Sequence, residues 1–178
     1  GGSKITSELI DAFKEKTGVS LRVGYGMSEI LCITVNKSES RDKLASVGKP
    51  TKDVEVQLVD DEVCVKGPNL MLGYWREAPQ SGWFRTGDLA SCDADGFYWF
   101  KGRKKLLIVR EGYNVSPIWI EEVLLKHPAV EQAAVIGQPD PSEGEVPVAF
   151  VTLNQDVAEK GIQDFIRPCL KPWEMPVK

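Results

Sequence analysis

Between residues 47 and 101 the chain is written in short alternating runs, and this pattern constrains the fold more than any other feature. "VEVQLV" alternates apolar and polar side chains, two aspartates follow, and "EVCVKG" resumes the alternation. "WFRTGD" then leads into "DADGFYWF", where Asp-Gly marks a tight turn. A period of two between turn signals specifies strands with one buried face, joined antiparallel by hairpins. A small antiparallel β region is therefore predicted, with Phe97, Tyr98, Trp99 and Phe100 filling it.

The flanks read differently. Residues 5–17 place Ile5, Leu9 and Phe13 on one face of an amphipathic helix stopped by Gly18, and a strand is predicted over 20–24. Together they suggest part of an α/β layer. Beyond "KGRKK", "LLIV" reads as a buried strand and "SPIWIEEVLLKHP" as a helix with Ser116 as N-cap and Pro117 at its first position. "AVEQAAVIG" and "VPVAFVTLN" are strands around a loop. A last helix carries Ile162, Phe165, Ile166 and Leu170 on one face, with Pro168 ending or kinking it. The predicted class is α+β: a partial α/β layer, a small antiparallel β region, and a smaller C-terminal α+β domain joined by a hinge. The boundary falls near 103–106, giving domains at 1–104 and 105–178.

Composition narrows the function. A net charge of −4, a pI near 5.2 and dispersed lysines and arginines argue against a nucleic-acid partner. Cys32, Cys64, Cys92 and Cys169 are irregularly spaced around one histidine, His127, so neither a zinc site nor a disulfide framework follows. No run approaches the ~20 apolar residues of a membrane span. Reduced thiols and a cytoplasmic location are expected; the oligomeric state is open.

The chemistry concentrates in "LRVGYGMSEI". Tyr25, flanked by Gly24 and Gly26, offers a flat ring beside backbone that a ligand can approach; Ser28 offers a hydroxyl and Glu29 a hard oxygen ligand for Mg²⁺. Each also has a plain reading, as a packed ring, a turn glycine or a capping carboxylate. The order of motifs raises the stakes: Tyr25-Gly26-Met27-Ser28-Glu29, then Gly73-Tyr74-Trp75, Thr86-Gly87-Asp88 and Gly102-Arg103-Lys104-Lys105. This set resembles the adenylate-forming enzymes, the superfamily of acyl-CoA synthetases, luciferases and carrier-loading adenylation domains, and it covers nearly the whole chain.

The resemblance implies ATP, Mg²⁺ and coenzyme A as cofactors and a small-molecule carboxylic acid, closest to a fatty acid, as substrate. It implies that Gly1, Gly2 and Ser3 line the acyl and adenine pocket and that Tyr25 stacks on adenine. Ser28 would meet a phosphate, Glu29 would hold the metal, and Asp88 and Arg103 would bind the ribose. Lys105 aligns with a hinge about which the C-terminal domain rotates between adenylation and thioester formation. The family's phosphate-binding loop and its near-terminal lysine are not among these residues, so the chain by itself is expected not to adenylate and to leave apolar surface exposed near its first helix and strand. Glu111, Trp119 and Pro168 depart from the family pattern, Trp119 removing the partner of a reciprocal capping box. Loading of a carrier-protein thiol and a non-catalytic nucleotide- or partner-binding role remain alternatives.

Overall fold

The structure, a computed structural model, describes residues 7–178. It divides into two compact units, Gly1–Phe100 and Lys101–Lys178.

The first unit opens with α1 (Ser7–Thr17) and continues through β1 (Gly24–Met27), β2 (Ile30–Val35) and β3 (Lys49–Pro50), which form an antiparallel sheet in that order. Two expectations change here. The buried residue of α1 is Ile10, 2% exposed, whereas Leu9 is 54% and Phe13 37% exposed; Ile5 lies outside the described residues. The face expected to be inward is thus turned outward, because one well-placed Ile10 anchors the helix. The strand expected at 20–24 starts only at Gly24, so the Gly-Tyr-Gly motif is itself the strand. Its partner is the next strand in the chain, so the sheet of this layer begins as an antiparallel hairpin.

The predicted β region is a four-stranded meander: β4 (Glu55–Val59), β5 (Glu62–Lys66), β6 (Phe84–Cys92) and β7 (Tyr98–Arg103). Asp60 and Asp61 turn β4 into β5 with φ of 52° and 63°, the left-handed pair that a two-residue hairpin turn favours because its twist matches the strands. The bridges Ile30↔Leu70 and Gly48↔Tyr98 connect this meander and its loops to the first sheet. Ile30, Ile33, Val54, Val63, Val65, Ala90 and Tyr98 make one core. Of the four aromatics at 97–100, only Tyr98 is buried; its hydroxyl donates to Val56 O at 3.2 Å, and burial raises its pKa. Lys43 clamps the β6–β7 turn through Asp93 at 2.7 Å and Asp95 at 2.9 Å.

In the second unit β8 (Ile108–Arg110), β9 (Tyr113–Val115), β10 (Val130–Asp140) and β11 (Gly144–Leu153) form a sheet in the order β10-β11-β8-β9. α2 (Pro117–Leu124) starts as expected: Ser116 Oγ accepts from Trp119 N at 3.4 Å and also donates to Lys101 O at 3.0 Å. α3 (Glu159–Ile166) stops before Pro168. Ile162 and Ile166 of α3 join Ile120, Val123 and Leu124 of α2 over the sheet. The final residues enter the sheet as well: Val177 N donates to Pro147 O and Ala149 N to Lys178 O.

All four cysteines are free. Among the described residues no helix is long and apolar enough to cross a membrane. Exposed apolar side chains beside α1 and β1 include Val19 at 60% and Leu31 at 82%.

Candidate nucleotide site

Two hydrogen bonds draw three of the four motifs together. The Tyr25 O–H donates to Asp88 Oδ2 at 2.7 Å, and the Tyr74 O–H donates to Glu29 Oε1 at 2.7 Å. Local backbone explains both. Gly26 lies against β2 so closely that a Cβ there would sit 2.0 Å from Leu31 O, so only glycine closes this hairpin and Tyr25 is left on the face opposite that contact. Register shifts between Tyr25 and Met27, as a bulge does, and such irregularities re-aim side chains. The glycines thus have a reason in the hairpin itself, before any ligand.

Asp88 is 1% exposed. Its stretch of β6 is held by the neighbouring strand: Asp88 N donates to Thr86 Oγ1 at 3.1 Å, Thr86 Oγ1 donates to Val63 O at 2.9 Å, and Gly87 N donates to Glu62 Oε1 at 3.2 Å. Gly87 adopts φ +73°. Glu62, 4% exposed, also takes Arg85 Nε at 3.0 Å. This buried carboxylate went unseen in the sequence, where it reads as one outward residue of an alternating strand. The signal that could have found it was Arg85 in the neighbouring "FRTGD" run, a cation needing a partner across the hairpin.

Glu29 sits on the β1–β2 turn, half-buried, and its carbonyl accepts from Met71 N at 2.7 Å, which ties the Gly73-Tyr74-Trp75 segment to that turn. The hydrogen bond to Glu29 raises the Tyr74 pKa. Ser28 is exposed beside it. No trio of His, Cys, Asp or Glu able to hold a metal exists among the described residues. The donor set therefore does not fit a protein cage, but it fits Mg²⁺, which keeps several waters and takes one or two carboxylates together with phosphate oxygens.

The space beside Tyr25 is small. The hollow between Tyr25, Tyr98, Phe100 and the aliphatic core has about 10 Å³, room for one water at most, and the Phe100 ring lies 6.4 Å from that of Tyr25. Arg103 and Lys105 are exposed and belong to the second unit, Arg103 ending β7 and Lys105 within the 3₁₀ turn Lys104–Leu106. The positions expected for Gly1, Gly2 and Ser3 lie outside the described residues.

The family described as AMP-binding enzyme matches residues 1–75, and AMP-binding enzyme C-terminal domain matches residues 119–178. The chain belongs to the adenylate-forming, AMP-binding enzymes. Among curated members of this family, a 2-succinylbenzoate–CoA ligase of Bacillus cereus is 37% identical across all of this chain and 40% of its own length. A long-chain-fatty-acid–CoA ligase of Escherichia coli is 34% identical across 99% of the chain and 35% of its own length. The chain therefore spans well under half the length of these relatives. Among solved structures, an o-succinylbenzoate CoA synthetase of Bacillus subtilis in complex with its acyl-adenylate intermediate superimposes with a TM-score of 0.88 at 35% identity, covering 100% of this chain and 40% of that one. An anthranilate CoA ligase in complex with anthranoyl-AMP gives 0.83 at 32%, covering 99% and 38%.

Proposed function

We propose that this adenylate-forming chain serves an ATP-dependent acid:CoA ligase. The carrying observation is the convergence of Tyr25 with Asp88 and of Glu29 with Tyr74, which sets a ring, two carboxylates and a hydroxyl on one hairpin and its neighbours. Relatives named as CoA ligases, and neighbours solved with acyl-adenylates, support the reading. Residues 1–104 supply the C-terminal part of the nucleotide-binding domain, and 105–178 most of a mobile domain hinged at Lys105.

In this reading a substrate carboxylate oxygen attacks the α-phosphorus of ATP and pyrophosphate leaves with the electron pair of the broken P–O bond. A coenzyme A thiolate then attacks the acyl carbon and AMP departs, its phosphate keeping the pair. Tyr25 carries the adenine on its ring, and Asp88 accepts from the ribose hydroxyls once the phenol has moved aside. Gly24 and Gly26 let the base approach the backbone, and Ser28 donates to a phosphate oxygen. Glu29 would hold Mg²⁺, which when bound neutralises phosphate charge. Arg103 donates to the ribose.

The acid is a fatty acid in the first reading. The 37% identity to a 2-succinylbenzoate–CoA ligase, against 34% to the fatty-acid enzyme, favours an aromatic dicarboxylate as the second. Pyrophosphate–ATP exchange with palmitate and with 2-succinylbenzoate, measured on a protein that carries this chain together with the family's phosphate-binding loop and near-terminal lysine, separates them. Exchange stimulated by one acid identifies it; exchange with neither, in a protein that also fails to bind AMP, contradicts the ligase reading.

A further inference from the structure

Away from the nucleotide site, the first unit carries an open hollow of about 420 Å³, within the size range of small-molecule sites. Lys37, Lys49 and Lys52 line it together with Ser38, Thr51 and Phe97, and no carboxylate is among its lining residues. In a chain of net charge −4, three ammonium groups around one concavity are a local reversal of sign.

The neighbouring carboxylates do not cancel it. Glu39 is taken by Arg22, and Asp93 and Asp95 are both taken by Lys43, at 2.7 and 2.9 Å. None of the three lining lysines has an ion-pair partner among the described residues. Lys49 is positioned as well as charged: its Nζ stands 4.7 Å from the centroid of the Phe97 ring, a cation–π distance that restrains an otherwise mobile ammonium at the rim. Ser38 Oγ accepts from Ser40 N at 3.1 Å, which orients the hydroxyl and leaves its O–H able to donate. Thr51 spends its proton on Cys32 O at 3.0 Å and so shapes the wall without binding.

Lysines act as point charges with three donors each, suited to a compact anion that presents oxygens in several directions. We propose that this hollow binds clustered phosphate groups, as a soluble polyphosphate or as the headgroups of an anionic lipid surface. The proposal does not rest on the ligase reading, since none of these residues belongs to the nucleotide site.

The test is calorimetric titration of the protein with inorganic pyrophosphate, beside co-sedimentation with phosphatidylglycerol vesicles. Each is run on the wild type, on the K37Q/K49Q/K52Q variant, and on a charge-matched K14Q/K16Q/K160Q control whose lysines lie on α1 and α3. Saturable binding of either probe, weakened at least tenfold by the first variant and less than twofold by the control, supports the site; which probe binds names the source of the phosphate. Binding of neither probe, or equal losses in both variants, overturns it. A thermal melt checks that both variants fold, and AMP affinity unchanged by the first variant separates this site from the nucleotide site.

Discussion

Tyr25 and Asp88, 63 positions apart, are joined by a 2.7 Å hydrogen bond in which the phenol donates to a carboxylate that is 1% exposed. The bond closes one motif on another. Removing this donor, by Tyr25→Phe, takes one charge-assisted hydrogen bond from a buried acceptor and is expected to cost about 1–3 kcal/mol in urea unfolding. Asp88→Ala has a different signature: AMP affinity falls at least tenfold. Unchanged affinity would remove Asp88 from the ribose role.

The hairpin makes a sharper demand. At Gly26 a new Cβ would lie 2.0 Å from Leu31 O, whereas at Gly18, with φ +73°, nothing lies within 4 Å. Gly18→Ala therefore costs only the left-handed penalty, about 1–2 kcal/mol. Gly26→Ala forces two backbones apart and is expected to destabilise more strongly and to lower AMP affinity as well. Equal melting shifts in the two variants would contradict this packing.

Much of this was legible beforehand, for local reasons. Ser116 and Pro117 fix a helix start by their own chemistry, Pro168 fixes a helix end, and Asp60-Asp61 between alternating runs fixes a hairpin. What failed depended on partners distant in sequence. Periodicity alone favoured Leu9 and Phe13 over Ile10, because it cannot say which side of α1 meets the protein. The strand boundary at Gly24 is set by pairing with Val35, and the entry of Val177 and Lys178 beside β11 by the backbone groups of Pro147 and Ala149, beyond the single pair Gly144↔Arg110 that joins β11 to β8. For the site, the motifs gave the residue types, but the occupation of Asp88 by Tyr25 and of Glu29 by Tyr74 required coordinates.

The Lys43–Asp93 clamp gives the molecule an acid-sensitive joint. The hydrogen bond from Lys43, with those from Phe97 N and Trp99 Nε1, holds the Asp93 carboxyl well below the usual carboxylate range. A depressed carboxyl stabilises the fold above its unfolded pKa and loses that contribution as pH falls through the folded value. Wild-type melting temperature should thus fall as pH drops below about 4. Asp93→Asn should lower the melt at neutral pH and flatten that fall, and an unaltered acid limb would show that the clamp is not what titrates.

Lys105 lies in a 3₁₀ turn just past the division between the two units. If it is the hinge, Lys105→Pro fixes its φ and impairs one half-reaction far more than the other. Single-turnover assays of adenylate formation and of thioester formation, run on a protein that also carries the family's phosphate-binding loop and near-terminal lysine, read the two separately. Equal loss in both assigns the residue a structural role only.

The most direct measurement is an AMP titration followed by backbone amide NMR. The account predicts that the amides of Tyr25, Glu29 and Asp88 shift together along one saturation curve, while those of α3 stay still. Absence of saturable shifts, or shifts that leave all three of those residues unmoved, would contradict it.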